Sequence, residues 1–221
     1  MIYSLFHILA PDDCLECGQE GSLWCEWCRL NDEPLPSRCF RCHAQSDTSQ
    51  VCKSCYAQTG LQRVYVAYEY KDVQKELIKQ LKFKSKRQAS LPIARALADI
   101  LPFLPNDTVV TSLPTAPLRV RQRGFDHAGH IARMLAKQLA LDHSTLLVRT
   151  TNTRQVGSNK KNRIDQIKGA YRLRAKADVR GKSVLLIDDV ITTGASASEA
   201  AKILKKAGAK RVDVAVFAYS K

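Results

Sequence analysis

The sequence predicts an α/β protein: a mostly parallel sheet flanked by helices, with a small Cys-rich module in front of it. Three observations predict it. All eight cysteines fall within the first 55 residues, in four C-x2-C pairs. Beyond them, short apolar runs alternate with stretches of helical period. One of those runs, Val184–Ile187, is apolar at every position, as a strand buried on both faces of a parallel sheet must be. The chain is therefore expected to divide into residues 1–60 and 61–221.

Charge divides at the same point. Residues 1–60 hold eight acids and four bases, whereas residues 61–221 hold 13 acids and 31 bases, so the net +14 belongs wholly to the second part. Such an excess points to a polyanion, nucleic acid foremost, because each neutralised phosphate releases counterions. The plainer alternative is a basic surface that aids solubility or draws in a highly anionic small substrate. No stretch is apolar for long enough to span a membrane. The opening MIYSLFHILAP lacks the basic start and small-residue cleavage site of a secretory signal, so the expected location is cytoplasmic.

In chain order, the cysteine pairs are Cys14/Cys17, Cys25/Cys28, Cys39/Cys42 and Cys52/Cys55. A C-x2-C turn holds two thiolates at the separation a tetrahedral zinc requires, and two turns close a site. Neighbouring pairs would make one site from Cys14, Cys17, Cys25 and Cys28 and a second from Cys39, Cys42, Cys52 and Cys55, for two Zn2+ in all. An interleaved pairing satisfies the spacing equally. Disulfides are the rival, and they do not suit a cytosolic chain. So short and polar a segment buries too little surface to fold alone, so metal would supply much of its stability. Its net negative charge favours a structural or docking role over direct base reading. Trp24, Trp27 and Phe40 are then read as a mini-core rather than as stacking platforms. Pro34 and Pro36 form the connector between the quartets.

Val64–Tyr68 alternates as a strand does. Lys71–Phe83 has helical period, with Val73, Leu77 and Leu81 inward and Lys75, Lys79, Lys82 and Lys86 along another, solvated face. Leu91–Leu101 predicts a second helix, ended by Pro102 and Pro105, and Thr108–Leu113 a core strand. Arg119, Arg121 and Arg123 follow at alternate positions; the planar guanidinium fork bonds two phosphate oxygens at once. Gly124 is expected at the entry to a helix that runs through Ile131, Leu135 and Leu139, with Asp126 near its start. His127 and His130 have no third ligand nearby and are not taken as a metal site. A further strand is expected at Thr145–Val148, and a last buried one at Arg211–Ala218. Between Arg149 and Lys182 the chain carries eleven bases against two acids. Asn152, Gln155, Asn159, Asn162 and Gln166 there add hydrogen-bonding groups without an obvious core.

Asp188 and Asp189 stand where the Val184–Ile187 strand would emerge at its C-terminal end. Thr192, Thr193, Gly194, Ala195 and Ser196 then open a helix with Ala197, Ala200, Ala201 and Leu204 as its apolar stripe. A strand, a small-residue loop and a helix N-terminus make an anion site, since backbone N–H groups there lack internal partners. Carboxylates repel phosphate, so their target is sugar hydroxyls or a metal bound to the sugar. The implied ligand is a phosphorylated ribose; the bland alternative is an ordinary strand–turn–helix with two solvated aspartates.

This stretch resembles the ribose-phosphate signature of type I phosphoribosyltransferases. With the amino-terminal cysteine array and the RxRxRGFD segment, the whole chain resembles the ComF/GntX family, which pairs a zinc-ribbon module with a phosphoribosyltransferase-like domain. Leu81-Lys82-Phe83, Gln155, Arg163 and Gly169-Ala170-Tyr171 match as well. Asp126-His127 stands where many members have Asn-Gln, Ser85 where glycine is common, and Gln166 where asparagine is usual.

The resemblance implies that Asp188 and Asp189 hold the ribose hydroxyls of phosphoribosyl pyrophosphate and that Thr192–Ser196 wrap its 5-phosphate. The Pro114–Pro117 loop, through Thr115, and the arginines Arg119, Arg121 and Arg123 would face pyrophosphate or DNA phosphates, with Mg2+ as a companion ion. The basic insertion after Arg149 would be a hood or loop at the mouth of the site. Thr192 replaces the acid with which purine-base members act on the base, which disfavours purine salvage. The implied role is natural transformation or use of external DNA, with incoming single-stranded DNA handled in the cytoplasm beside competence or recombination proteins. Two readings follow: a module that binds a ribose-phosphate group and holds the strand on its basic rim, or a working phosphoribosyltransferase with an unknown acceptor.

Overall fold

A computed structural model describes residues 11–150, 167 and 169–220. Its helices, in chain order, are α1 (Glu26–Asn31), α2 (Lys53–Thr59), α3 (Asp72–Phe83), α4 (Ser90–Ile100), α5 (Pro117–Arg123), α6 (His127–Gln138) and α7 (Ala195–Lys206). The strands are β1 (Val64–Glu69), β2 (Thr108–Ser112), β3 (Asp142–His143), β4 (Leu147–Arg149), β5 (Tyr171–Leu173), β6 (Ser183–Ile191) and β7 (Arg211–Tyr219). Five of them form one parallel sheet in the order β1-β7-β6-β2-β3. β4 and β5 pair antiparallel as a separate small sheet.

The centre of the sheet is β6, and its pairing explains its composition. Leu186 lies opposite Thr111 of β2 on one side and Val214 of β7 on the other. Its side chains alternate between two cores. Leu185 and Ile187 join Ala215, Phe217 and the buried residues of α3, α4 and α6. Val184 and Leu186 join Val214, Val216 and the apolar stripe of α7. Both faces are covered, so neither position along the strand can be polar until the acids at its end.

The cysteine segment belongs to both cores. Cys14, Trp24 and Cys28 pack in the first, where the Trp24 ring meets Tyr68 and Phe217 edge-on at 5.4 and 6.1 Å. Cys39, Phe40 and Cys55 pack in the second. Between them the Pro34–Pro36 connector passes the outer edge of β1, where the Leu35 N–H donates to the Ala67 carbonyl at 2.7 Å. Val64 donates to Ser49 and Val51 to Gln62 further along. The connector therefore covers a strand edge that would otherwise be open to another chain.

Two expectations change. Gly124 does not open a helix: it closes α5, with φ of +76° and its N–H donating to Val120, and α6 starts three residues later. A left-handed glycine is a helix C-terminal signal. Of the strand expected at Thr145–Val148, only Leu147 and Val148 are strand, in β4 of the hairpin; the sheet edge is made just before it by the two-residue β3. After β3 the chain turns off the sheet, Leu146 donating to the Thr111 hydroxyl, and buries Leu146 and Leu147 in the second core. Asn152, Gln155, Asn159, Asn162, Arg163 and Gln166 lie outside the described residues.

Candidate functional site

The C-terminal ends of β6 and β2 bring four chain segments together. Each acid of β6 fixes itself on the next peptide: Asp188 Oδ1 accepts from the Asp189 N–H, and Asp189 Oδ1 from the Val190 N–H, both at 2.9 Å. Asp188 keeps partial solvent access, while Asp189 is 4% exposed. The free oxygen of Asp189 forms an ion pair with Lys82 of α3 and lies 3.5 Å from His127 Nε2 at the start of α6. His127 Nδ1 is 3.0 Å from Arg123 Nη1. A guanidinium can only donate, so Nδ1 accepts and the ring proton sits on Nε2, facing Asp189.

The two neighbouring carboxyls are driven apart. Burial, reinforced by the charge of Asp189, pushes Asp188 well above the usual carboxylate range. Burial alone would raise Asp189 too, but Lys82 and His127 hold it well below that range. One acid is thus an anion held by a cation; the other is inclined to keep its proton.

The loop after β6 leads into α7 through Gly194, whose φ is +73°. A side chain there would be doubly excluded: a Cβ would fall 2.6 Å from the Phe40 ring. No side chain caps α7. Thr193 Oγ1 accepts only a long 3.4 Å bond from Ala195 N–H, so the first-turn N–H groups face the loop and can bind an anion. Thr192 is exposed; Thr193, Ala195 and Ser196 are half-buried.

Thr115 stands in the loop after β2, its hydroxyl donating to Asp126 Oδ1 at 2.8 Å. The three arginines do not act as a row. They lie on α5, where a spacing of two turns successive side chains to different sides. Arg123 reaches His127 and stacks over Phe83 at 5.7 Å; Arg119, four residues before it, is exposed near it, and Arg121 is exposed on the opposite side of the helix.

Lys82, His127 and Asp126 were not singled out as site residues from the sequence. Lys82 carried no separating local signal: it lies seven residues beyond the exposed Lys75 and three beyond the exposed Lys79, on the same stripe of α3, and only the packing of the helix end sets it apart. His127 was weighed only as a metal ligand, and its position one turn beyond Arg123 becomes informative only when both helices are placed.

The cysteines form two four-thiol clusters, Cys14/Cys17/Cys25/Cys28 and Cys39/Cys42/Cys52/Cys55, and in each the sulfurs lie within 4.8 Å of one another. The sequential pairing, not the interleaved one, is what the fold makes. Cys17 and Cys25 sulfurs are 3.7 Å apart, and Cys42 and Cys52 sulfurs 3.5 Å. Four thiolates at about 2.3 Å from one zinc would stand ~3.8 Å apart, so each cluster fits a metal ion.

Residues 88–221 match the model of the phosphoribosyl transferase domain. The chain is 31% identical to DNA utilization protein YhgH of Salmonella typhi, over 94% of its length and 96% of that protein. It is 26% identical to competence protein F of Haemophilus influenzae, over 86% of its length and 87% of that protein. The chain belongs to the ComF family. Among solved structures, the ComF-family chain aligns over 59% of its length with an allosteric regulatory enzyme of purine biosynthesis, at 20% identity and a TM-score of 0.42, spanning 25% of that chain. No described helix of this ComF-family chain is long and apolar enough to cross a membrane.

Proposed function

We propose that this chain binds a phosphorylated ribose at the end of β6 and handles single-stranded DNA in the cytoplasm during DNA uptake or utilisation. One observation carries the reading: the acid pair and the uncapped N-terminus of α7 share one loop, and Lys82, His127 and Arg123 close on the same spot. Asp188 and Asp189 would take the ribose hydroxyls, directly or through Mg2+, and Thr192, Thr193, Gly194, Ala195 and Ser196 the 5-phosphate. Mg2+, when bound, would supply positive charge between the acids and the ligand's phosphates. A ligand that engages Asp189 displaces Lys82, which is then free to pair with phosphate. Thr115, Arg119 and Arg123 would take the phosphate side of the site, while Arg121, on the opposite side of α5, adds only to the wider charge excess of residues 61–221. The names of the relatives support the competence role, and the two cysteine clusters of residues 1–60 are read as zinc sites that stiffen the frame.

The test is binding of Mg2+-loaded phosphoribosyl pyrophosphate and of ribose 5-phosphate, followed by calorimetry. Asp188→Ala with Asp189→Ala is expected to abolish both; unchanged affinity refutes the assignment. Single-stranded DNA affinity is expected to fall steeply with salt, and a flat response removes the strand-handling part. The second reading, phosphoribosyl transfer, is favoured by the link from Arg123 through His127 to Asp189, with Thr115 of the neighbouring loop held on Asp126. It requires pyrophosphate release when candidate acceptors are added, lost in the same double variant.

A further inference from the structure

A second cleft, of about 130 Å³, opens between the second cysteine cluster and the sheet, lined by Leu35, Phe40, Val64 and Val66 below and by Arg38, His43, Ser49, Glu69 and Tyr219 around the rim. Its walls are held in place. The knuckle of the cluster carries His43 in the left-handed region, φ +61°. That turns its ring edge-on to Tyr219 at 5.2 Å, with Nε2 3.3 Å from the phenol oxygen. Ser220 N–H donates to the Ile191 carbonyl at 2.9 Å, tying the end of β7 to the end of β6. Phe40 is shared: it lines this cleft and also lies against Gly194 of the loop assigned above to phosphate.

The lining selects a chemistry. A phosphate would meet the carboxylate of Glu69 over an apolar floor and gain little. An aliphatic chain would bring no hydrogen-bonding group to Arg38 and Glu69 at the rim. A flat heteroaromatic ring satisfies both parts: its faces take the apolar and aromatic walls, and its edge offers acceptors to Arg38 and donors to Glu69. We propose that this cleft takes a nucleobase of a single-stranded nucleic acid, from a nucleotide next to the one whose ribose phosphate occupies the Thr192–Ser196 loop. The inference rests on the ribose-phosphate reading, because the loop supplies the neighbouring anchor, joined to the cleft through Phe40.

The experiment compares three ligands by fluorescence anisotropy or competition: ribose 5-phosphate, a 5-phosphorylated oligothymidylate hexamer, and the same hexamer with abasic sugars at its first three positions. One buried base contributes about 1–3 kcal/mol, so the hexamer with bases is expected to bind roughly tenfold tighter than the abasic one. Arg38→Ala and Tyr219→Ala are expected to shrink that advantage to less than about twofold and to leave ribose 5-phosphate affinity as it was. Metal content and melting of each variant verify that the cluster is intact. Equal binding of the two hexamers by the wild type, or an advantage that survives both variants, overturns the proposal while ribose 5-phosphate binding persists. Failure of the wild type to bind ribose 5-phosphate strikes the earlier reading instead, and the base cleft falls with it.

Discussion

The two cysteine quartets are nearly the same object folded twice, placed against opposite faces of one sheet. In each, the first C-x2-C pair closes a knuckle, Gly18 N–H donating to Cys14 and His43 N–H to Cys39. In each, the first cysteine of the second pair starts a short helix, Cys25 before α1 and Cys52 before α2. Their neighbours differ. The first presents Trp24 to Tyr68 and Phe217, and the buried Arg29 pairs with Asp99 of α4. The second presents Phe40 to Gly194 of the loop proposed to hold phosphate. Thiol geometry thus fits a metal ion in both, and only the neighbours tell what each cluster would brace. The first quartet holds helices to the sheet; the second borders the site.

The largest expected effect tests whether the quartets are metal sites of unequal structural weight. Cys28 and Cys55 hold the same place in their quartets and are both buried, at 2% and 5% exposure. Each Cys→Ser variant is expected to lose about one of two zinc equivalents, because three thiolates do not complete a structural site. A structural zinc contributes on the order of 10 kcal/mol, comparable with the whole ~5–15 kcal/mol of a folded domain. Cys28→Ser is therefore expected to unfold cooperatively at ambient temperature. Cys55→Ser, whose quartet borders the loop at Gly194 and carries no counterpart of the Arg29–Asp99 pair, should lose less stability, retain a thermal transition and lose ribose-phosphate affinity. Elemental analysis and thermal melts check both, and equal melting of the two variants would erase the distinction.

Next in size come the two aromatic anchors. Trp24→Ala removes a fully buried ring and is expected to cost about 3–5 kcal/mol, with ribose 5-phosphate affinity within about twofold of wild type once the protein is saturated with metal. Phe40→Ala should cost about 3 kcal/mol and, in addition, weaken ribose 5-phosphate binding by roughly tenfold, since the loop loses the surface that fixes Gly194. Urea melts alongside calorimetry separate the two effects. Affinity that falls equally in both variants would mean that stability alone governs the loop.

Within the site, Lys82→Met leaves the buried Asp189 facing His127 alone. Breaking a buried pair costs about 3–5 kcal/mol, and the partial exposure of Lys82 lowers this to about 2 kcal/mol by screening. Asp189 has its folded-state pKa depressed, so the stability it contributes is present above the ordinary carboxylate pKa and lost as pH falls through the folded value. The wild-type advantage over Lys82→Met should accordingly be largest at neutral pH and shrink in acid. Denaturant midpoints across pH measure it.

How much of this was legible in the sequence follows from how local each feature is. The C-x2-C pairs and the Asp188–Ser196 stretch carry their chemistry in consecutive residues, so both quartets and the strand–loop–helix were readable. The pairing of thiols needed the fold. Lys82 and His127 meet Asp189 across 107 and 62 residues of chain, and no local pattern encodes that meeting. Arg119, Arg121 and Arg123 look equivalent at alternate positions, yet helix geometry turns Arg121 away from the side shared by the other two. The contact of Phe40 with Gly194 was equally hidden, because an aromatic beside a zinc knuckle is what a mini-core would show anyway.

The effect confined to a single proton is also the one that best separates the second quartet from the acids. Burial and Asp189 raise Asp188, so the folded, ligand-free site holds a proton that the unfolded chain has already released. Stability therefore falls as pH rises from the ordinary carboxylate pKa to the raised one, by about 1.4 kcal/mol per pH unit. Asp188→Asn removes that slope. A ligand that uses the ionised carboxylate must displace the proton, so ribose 5-phosphate affinity should climb with pH across the same window, and Asp188→Asn should flatten the climb after the ligand's own titration is subtracted. Phe40 lies against Gly194 of the loop, so Phe40→Ala should lower the curve by one factor at every pH and keep its shape. A Phe40→Ala curve that changes shape would mean that the second quartet reaches the acids as well as the phosphate loop, and the division of labour between the two quartets would be drawn in the wrong place.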